Sequence, residues 1–169
     1  TGRKIPLPPR AVMAGTSVQF DMDSQGRVIA AIQDFQWMDP TNIPEEFIEK
    51  GVAKKPFQNA MIFFDSNVFD KAPEIVFASD NENALGDPKI SPGGDALAFT
   101  TGRFDFTNGY EPQGLVTGTF PPTQSAEIKP IAEGFVRDPA WFPKGDKLVF
   151  VRSEGGDRAV FVVSASGGD

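Results

Sequence analysis

The sequence predicts an all-β chain made of about three small four-stranded sheets, with one short helix near 44–50. Three observations carry this. Two stretches are near-copies of each other, DPKISPGGDALAFT at 87–100 and DPAWFPKGDKLVFV at 138–151, set 51 residues apart. That spacing falls in the range where self-similarity marks stacked or radial repeats. Apolar residues recur at period two in ALAFTT, KLVFV and AVFVV, as expected of β-strands. Clusters of Gly, Pro and Asp punctuate these runs at turn positions. A sheet of this size cannot bury its apolar face alone, so each repeat needs neighbours.

The elements follow in order. TGRKIPLPPR, with Pro6, Pro8 and Pro9, reads as an extended arm over 1–16 that cannot be helical; Arg3–Leu7 has the length of an edge strand and could serve as the missing outer strand of the third unit, in its own chain or a neighbour's. SVQFDM (17–22), the turn DSQG and RVIAAI (27–32) form the first hairpin, with Gly26 supplying the positive φ. An insertion occupies 35–57. Within it Pro44, Glu45, Glu46, Lys50 and Gly51 are placed as helix start and stop signals. NAMIFFD (59–65) and APEIVFA (72–78) return as strands. The second unit has strands at 88–91, 96–101, 114–120 and 126–132, with 101–113 as a loop. The third has strands at 139–142, 147–153 and 159–165, and a fourth strand is expected by analogy but missing. The units run over about 17–79, 80–133 and 134–169 in one partial domain.

Composition narrows the function classes. The chain has 169 residues, 40% hydrophobic and 23% charged, which fits an ordinary globular protein with a sizeable core. Sixteen Phe stand against one Tyr and two Trp, as expected where aromatics pack between sheets and bring no polar group that needs a partner. The net charge of −7 and the scatter of Lys and Arg argue against a nucleic-acid partner. No apolar run is long enough to span a bilayer as a helix. The absence of His and Cys removes Ser-His-Asp and Cys-His nucleophiles, imidazole or thiolate zinc sites, iron–sulfur clusters and c-type haem attachment. No cofactor, no metal and no enzymatic activity are expected. The chain starts at Thr1 without a leader pattern, which suggests a processed product, an excised domain or part of something longer.

At 87–99 and 138–150 the pattern resembles the repeat of TolB-type β-propellers, Asp-Pro-x-Trp-Ser-Pro-Asp-Gly followed by a strand of Φ-Ala-Phe type. The second unit matches at Asp87, Pro88, Ser91, Pro92, Gly94 and Phe99, with Ile90 for the Trp and Gly93 for the Asp. The third matches at Asp138, Pro139, Trp141, Pro143, Gly145 and Phe150, with Phe142 for the Ser and Lys144 for the Asp. The resemblance is specific over about 86–169 and fainter over 17–78. It implies β-propeller-like blades in an incomplete propeller, and a periplasmic or extracellular setting. It also implies a non-catalytic protein-binding or scaffold module, a subunit or fragment of a larger assembly. The alternative it leaves open is part of the gating propeller of a prolyl-oligopeptidase-like serine peptidase, whose catalytic domain would lie elsewhere. Physically, Asp-Pro is expected to end strand pairing, Gly to permit the turn, and Trp or Ile to fill the space between sheets.

Several residues are candidates for chemistry or contact. DMDSQG at 21–26 spaces Asp21, Asp23 and Gly26 like the first half of a Ca²⁺ loop, but the twelfth position is Ile32 and the flanks are strands, so a plain hairpin turn competes. Asp34, Asp39, Glu45 and Glu46 are acids without a defined geometry, and Ser91, Ser153 and Ser164 have no His to activate them. For partner binding the insertion offers Phe35, Trp37, Met38, Phe47 and Phe57; the competing reading is a lid on a sheet edge. The 101–113 loop offers Arg103, Phe104, Phe106 and Tyr110, against the reading that its aromatics cover core. The expected partners are proteins, either other subunits or the remainder of a longer chain. Three open blades would expose strand edges and an apolar face at both ends.

Overall fold

The structure is a computed structural model that describes residues 13–14, 17–34, 36–37, 48–49, 52–53, 58–68, 73–122 and 127–167. Its hairpin turns follow directly from their residues. Asp23 N–H donates to the Arg27 carbonyl at 3.0 Å, Ser91 N–H to Ala96 at 2.8 Å and Phe142 N–H to Lys147 at 2.9 Å. Gly94 and Gly145 sit at φ 67° and 73°, a region where a side chain is strained, so the Pro-x-Gly-Asp motif turns the chain the same way twice.

The strands in chain order are β1 (Met13–Ala14), β2 (Ser17–Met22), β3 (Arg27–Gln33), β4 (Gln36–Trp37), β5 (Ile48–Glu49), β6 (Val52–Ala53), β7 (Asn59–Asp65) and β8 (Glu74–Ser79). After a 3-10 turn at Asn81–Asn83 come β9 (Ala84–Ile90), β10 (Ala96–Asp105), β11 (Gly109–Thr119), β12 (Lys129–Glu133), β13 (Phe135–Trp141), β14 (Lys147–Glu154) and β15 (Asp157–Ser164). Three antiparallel meanders result, ordered β2-β3-β7-β8, β9-β10-β11-β12 and β13-β14-β15. Small pairs β1-β4 and β5-β6 lie apart from them. The protein is all-β, in sheets of four, four and three strands.

Alternation decides which side chain faces which sheet. Ile29, Ala31 and Met61 of the first sheet meet Leu85, Ile90, Leu97 and Phe99 of the second, with Val76 and Phe120. On the opposite face of the second sheet, Ala98 and Leu115 pack on Val136, Leu148 and Phe150 of the third. The first strands β2, β9 and β13 lie side by side: Asp21 Oδ2 accepts from Ile90 N–H at 2.8 Å, and Trp141 Nε1–H donates to the Lys89 carbonyl at 2.9 Å. The sheets therefore stack in sequence order, consistent with propeller-like blades in an open array.

The near-copies prove equivalent in a way that corrects one expectation. Asp-Pro does not end pairing; it makes a bulge within it. Ala98 faces Lys89 and Thr100 faces Gly86, so Phe99 opposes both Asp87 and Pro88. Likewise Val149 faces Ala140 and Val151 faces Arg137, so Phe150 opposes Asp138 and Pro139. Asp87 and Asp138 take φ 44° and 52°, which Asp tolerates better than most residues, and Pro needs no ladder donor at a bulge. Strands β9 and β13 consequently begin several residues before the motif.

Two further expectations are corrected. The loop at 101–113 is instead a long hairpin in which β10 and β11 pair out to Asp105 and Gly109. Its turn is held by the Asp105 carboxylate, which accepts from Thr107 and Asn108 N–H. Of the helix expected near 44–50, residues 44–47 and 50 lie outside the described residues. Ile48–Glu49 pair with Val52–Ala53 as strands, and Gly51, read as a helix stop, also lies outside the described residues. The arm over 1–12 also lies outside the described residues.

Candidate interaction surfaces

The hairpin of β10 and β11 positions four of the residues singled out in the sequence, and it divides them. Phe104 and Tyr110 are cross-strand partners. Phe104 is buried, and the Tyr110 hydroxyl donates to Thr100 Oγ1 at 2.9 Å. Burial raises the Tyr110 pKa well above the usual phenol value, so this hydroxyl stays protonated. Arg103 pairs with Glu111 at 3.1 Å on the exposed side, and Phe106 at the tip is 74% exposed. Arg103 and Phe106 are accessible to a partner; Phe104 and Tyr110 are structural. Trp37 lies in β4, opposite Met13. Phe35, Met38, Phe47 and Phe57 lie outside the described residues.

Tyr110 belongs to a polar network that sequence reading missed. Gln19 Nε2–H donates to Asp87 Oδ1 at 2.9 Å, and Asp87 N–H returns a bond to Gln19 Oε1 at 2.9 Å. Gln33 Nε2–H donates to the Leu85 carbonyl at 2.9 Å. Burial raises the Asp87 pKa, helped by the charge of Asp138, the equivalent acid in the next sheet. The network ties β2 to β9 and β10, which makes it a seam between sheets.

The 21–26 turn lies beside a cleft of about 390 Å³ where the turn ends of β2, β9 and β13 meet, lined in part by Asp21, Asp23, Lys89, Ser91 and Trp141. Its carboxylates already serve the protein. Asp23 Oδ1 accepts from Gln25 and Arg27 N–H, and Oδ2 pairs with the Arg27 guanidinium at 2.6 Å. That guanidinium also donates to the Gly94 carbonyl, joining the first turn to the second. Burial works against the Asp23 charge, but the bonds from Arg27 and Gln25 outweigh it and hold its pKa below the ordinary value. Among the described residues no group of three or more potential ligands could hold a metal ion. Ser91 accepts from Ala96 N–H and donates to Asp95, an ordinary turn serine. Asp34 is buried at φ 51°, while Asp39, Glu45 and Glu46 lie outside the described residues.

Exposed apolar side chains also gather at the two ends of the stack. By the 51-residue offset and the strand pairing, Val160 of β15 occupies the place that Leu115 has in β11. Leu115 is 0% exposed because the third sheet covers it; Val160 is 69% exposed. Val162 stands where Thr117 does, at 53% against 5%. Their cross-strand partners Val151 and Val149 extend the apolar strip. At the other end, Val18, Phe20 and Met22 along the β2 edge are exposed on the side away from the second sheet, while Ala30, Ile32, Ala60 and Ile62 on the same face are buried. The sequence held a signal for the β15 face: AVFVV is apolar at both parities, the pattern of a strand covered on both sides. No protein-family model matches the chain, nor does any curated protein sequence.

Proposed function

We propose that the chain is a non-catalytic protein-binding or scaffold module, related to TolB-type propellers, whose terminal sheet faces engage protein partners in a larger assembly. The observation that carries this reading is the contrast between Leu115 and Val160: one sheet design, covered in the second sheet and bare in the third. An apolar strip on a sheet face is costly to leave in water and is the usual mark of an interaction site. The exposed Phe20 and Phe106 supply aromatic side chains of a kind enriched at interface cores. A periplasmic or extracellular setting belongs to the same proposal, and fractionation of cells expressing the native gene tests it.

The module reading is tested with the double variant V160T/V162T, which keeps shape and strand preference while making the strip polar. The wild-type chain is expected to bind an apolar-surface dye such as ANS, or to run above monomer mass in light scattering, and the variant to lose most of that signal. A wild-type monomer that leaves the dye dark would remove the support for the proposal.

A further inference from the structure

The free edge of β15 offers a more specific binding mode. The first two sheets carry four strands each and the third carries three, so β15 stands where β11 stands but has no outer neighbour among the described residues. In the second sheet the outer strand β12 pairs along Gly114–Thr117, which corresponds to Ala159–Val162 of β15. The ladder shows which backbone groups are unused there. β14 and β15 join through the two-residue turn Gly155–Gly156, so Glu154 and Asp157 form a hydrogen-bonded pair and such pairs recur at every second position. Ala165 N–H donating to the Asp146 carbonyl at 2.9 Å fits that phase. The N–H and C=O groups of Arg158, Val160 and Val162 and the N–H of Ser164 therefore point to the open side, while the Ser164 carbonyl accepts from Gly167 N–H at 3.1 Å.

Beside this edge lies a groove of about 580 Å³ between the second and third sheets. Ile131 and Ala132 of β12 form one wall, and Phe150, Phe161 and Val163 form the other. The ionisable side chains among its lining residues are Lys147 and Arg152. Arg152, stacked on Phe161 and paired with Glu154, and Lys147 line the groove. Arg158 lies on the edge itself, and neither it nor Lys147 has an ion-pair partner among the described residues.

We propose that β15 takes up an extended segment of a protein partner as an added outer strand along Arg158–Ser164. Its inward side chains would be apolar and fill the groove beside Ile131 and Phe161, and its ends would be acidic, opposite Arg158 and beside Lys147. Backbone bonds to a bare edge give affinity and alternate side chains give selectivity, the general logic of strand addition. Lys147 and Arg158, which lack ion-pair partners among the described residues, select against the chain's own Arg3–Leu7 arm, which carries Arg3 and Lys4. This inference rests on the protein-binding reading and names the kind of segment bound.

The test uses the whole chain and the probe Ac-Glu-Val-Thr-Val-Thr-Val-Glu-NH2, with a Lys-ended version as control, followed by ¹⁵N amide shifts. The Glu-ended probe at about 1 mM is expected to perturb amides of 158–164. V162P removes one outward donor without touching the β14 ladder, and is expected to weaken binding at least tenfold, as loss of a backbone bond at an occupied edge would. R158E leaves the strand intact and is expected to reverse the preference, so that the Lys-ended probe binds roughly threefold or more better. No shift at 158–164, or binding indifferent to V162P, overturns strand addition. Equal binding of both probes to the wild type overturns the acidic assignment. None of these outcomes alters the dye response of the Val160 face, so failure here is separable from failure of the module reading.

Discussion

Leu115→Ala and Val160→Ala make a matched pair, because the two residues hold equivalent places in adjacent sheets. Leu115 pairs across β10 with Thr100 and packs among Ala98, Val136, Leu148 and Phe150. It is fully buried, so its truncation removes apolar surface on both sides and leaves a cavity between two sheets, at a cost of about 2–5 kcal/mol. Full burial of a valine is worth about 1.5–3 kcal/mol. Val160 has less than a third of its surface covered, so truncation there costs below about 1 kcal/mol. Urea unfolding followed by far-ultraviolet circular dichroism reads both. With a slope of about 2 kcal/mol/M, Leu115→Ala is expected to lower the midpoint by about 1–2.5 M and Val160→Ala by less than about 0.5 M. Leu115 also couples the second sheet to the third, and stacked units can unfold separately once their interface weakens. A split transition in that variant alone agrees with this. Equal midpoint shifts would refute the reasoning, since Val160 would then be covered in the isolated chain.

Gly94→Ala and Gly145→Ala each force a side chain to positive φ, costing about 1–2 kcal/mol by calorimetry. Gly94→Ala is expected to cost more, because its new methyl would meet the Arg27 guanidinium while that of Gly145 meets only Pro92 at ordinary contact distance. Asp87 has a raised pKa, so its charged form opposes folding above that value and the opposition is relieved as pH falls through it. Asp87→Asn, which keeps the acceptor for Gln19 and tolerates positive φ, is expected to be neutral or stabilising at pH 7, with any advantage gone by about pH 4 in thermal melts. Asp23 has the opposite sign: its lowered pKa contributes stability above the unfolded carboxylate value, lost as pH falls through the folded one. Asp23→Ala is therefore expected to destabilise at pH 7 by about 1–3 kcal/mol, and the difference from wild type to shrink as pH falls below the ordinary carboxylate range in thermal melts.

What the sequence disclosed depended on whether the information was local. Strands 17–22 and 59–65 agree with the structure to the residue, since a period-two run bounded by turn residues leaves little choice. The bulges were misread because Asp-Pro does break a ladder in isolation; only the partner strand shows that Phe99 and Phe150 bridge the gap. The 101–113 hairpin had its own signal, Asn108-Gly109 between alternating aromatics, outweighed by Gly102 and the polar residues around it. The network of Gln19, Gln33 and Asp87 could not be seen at all, because its members are separated by up to 68 residues and meet only when β2 lies on β9. The exposed face falls between these cases. AVFVV states that β15 is built for cover on both sides, but only the stacked sheets show which side is supplied. Phe161 and Val163 find the second sheet, while Val160 and Val162 repeat the design that seats a following sheet and meet solvent. Since apolar area at these positions contributes to stability only when covered, the sequence has kept in β15 a feature that its own described fold does not use.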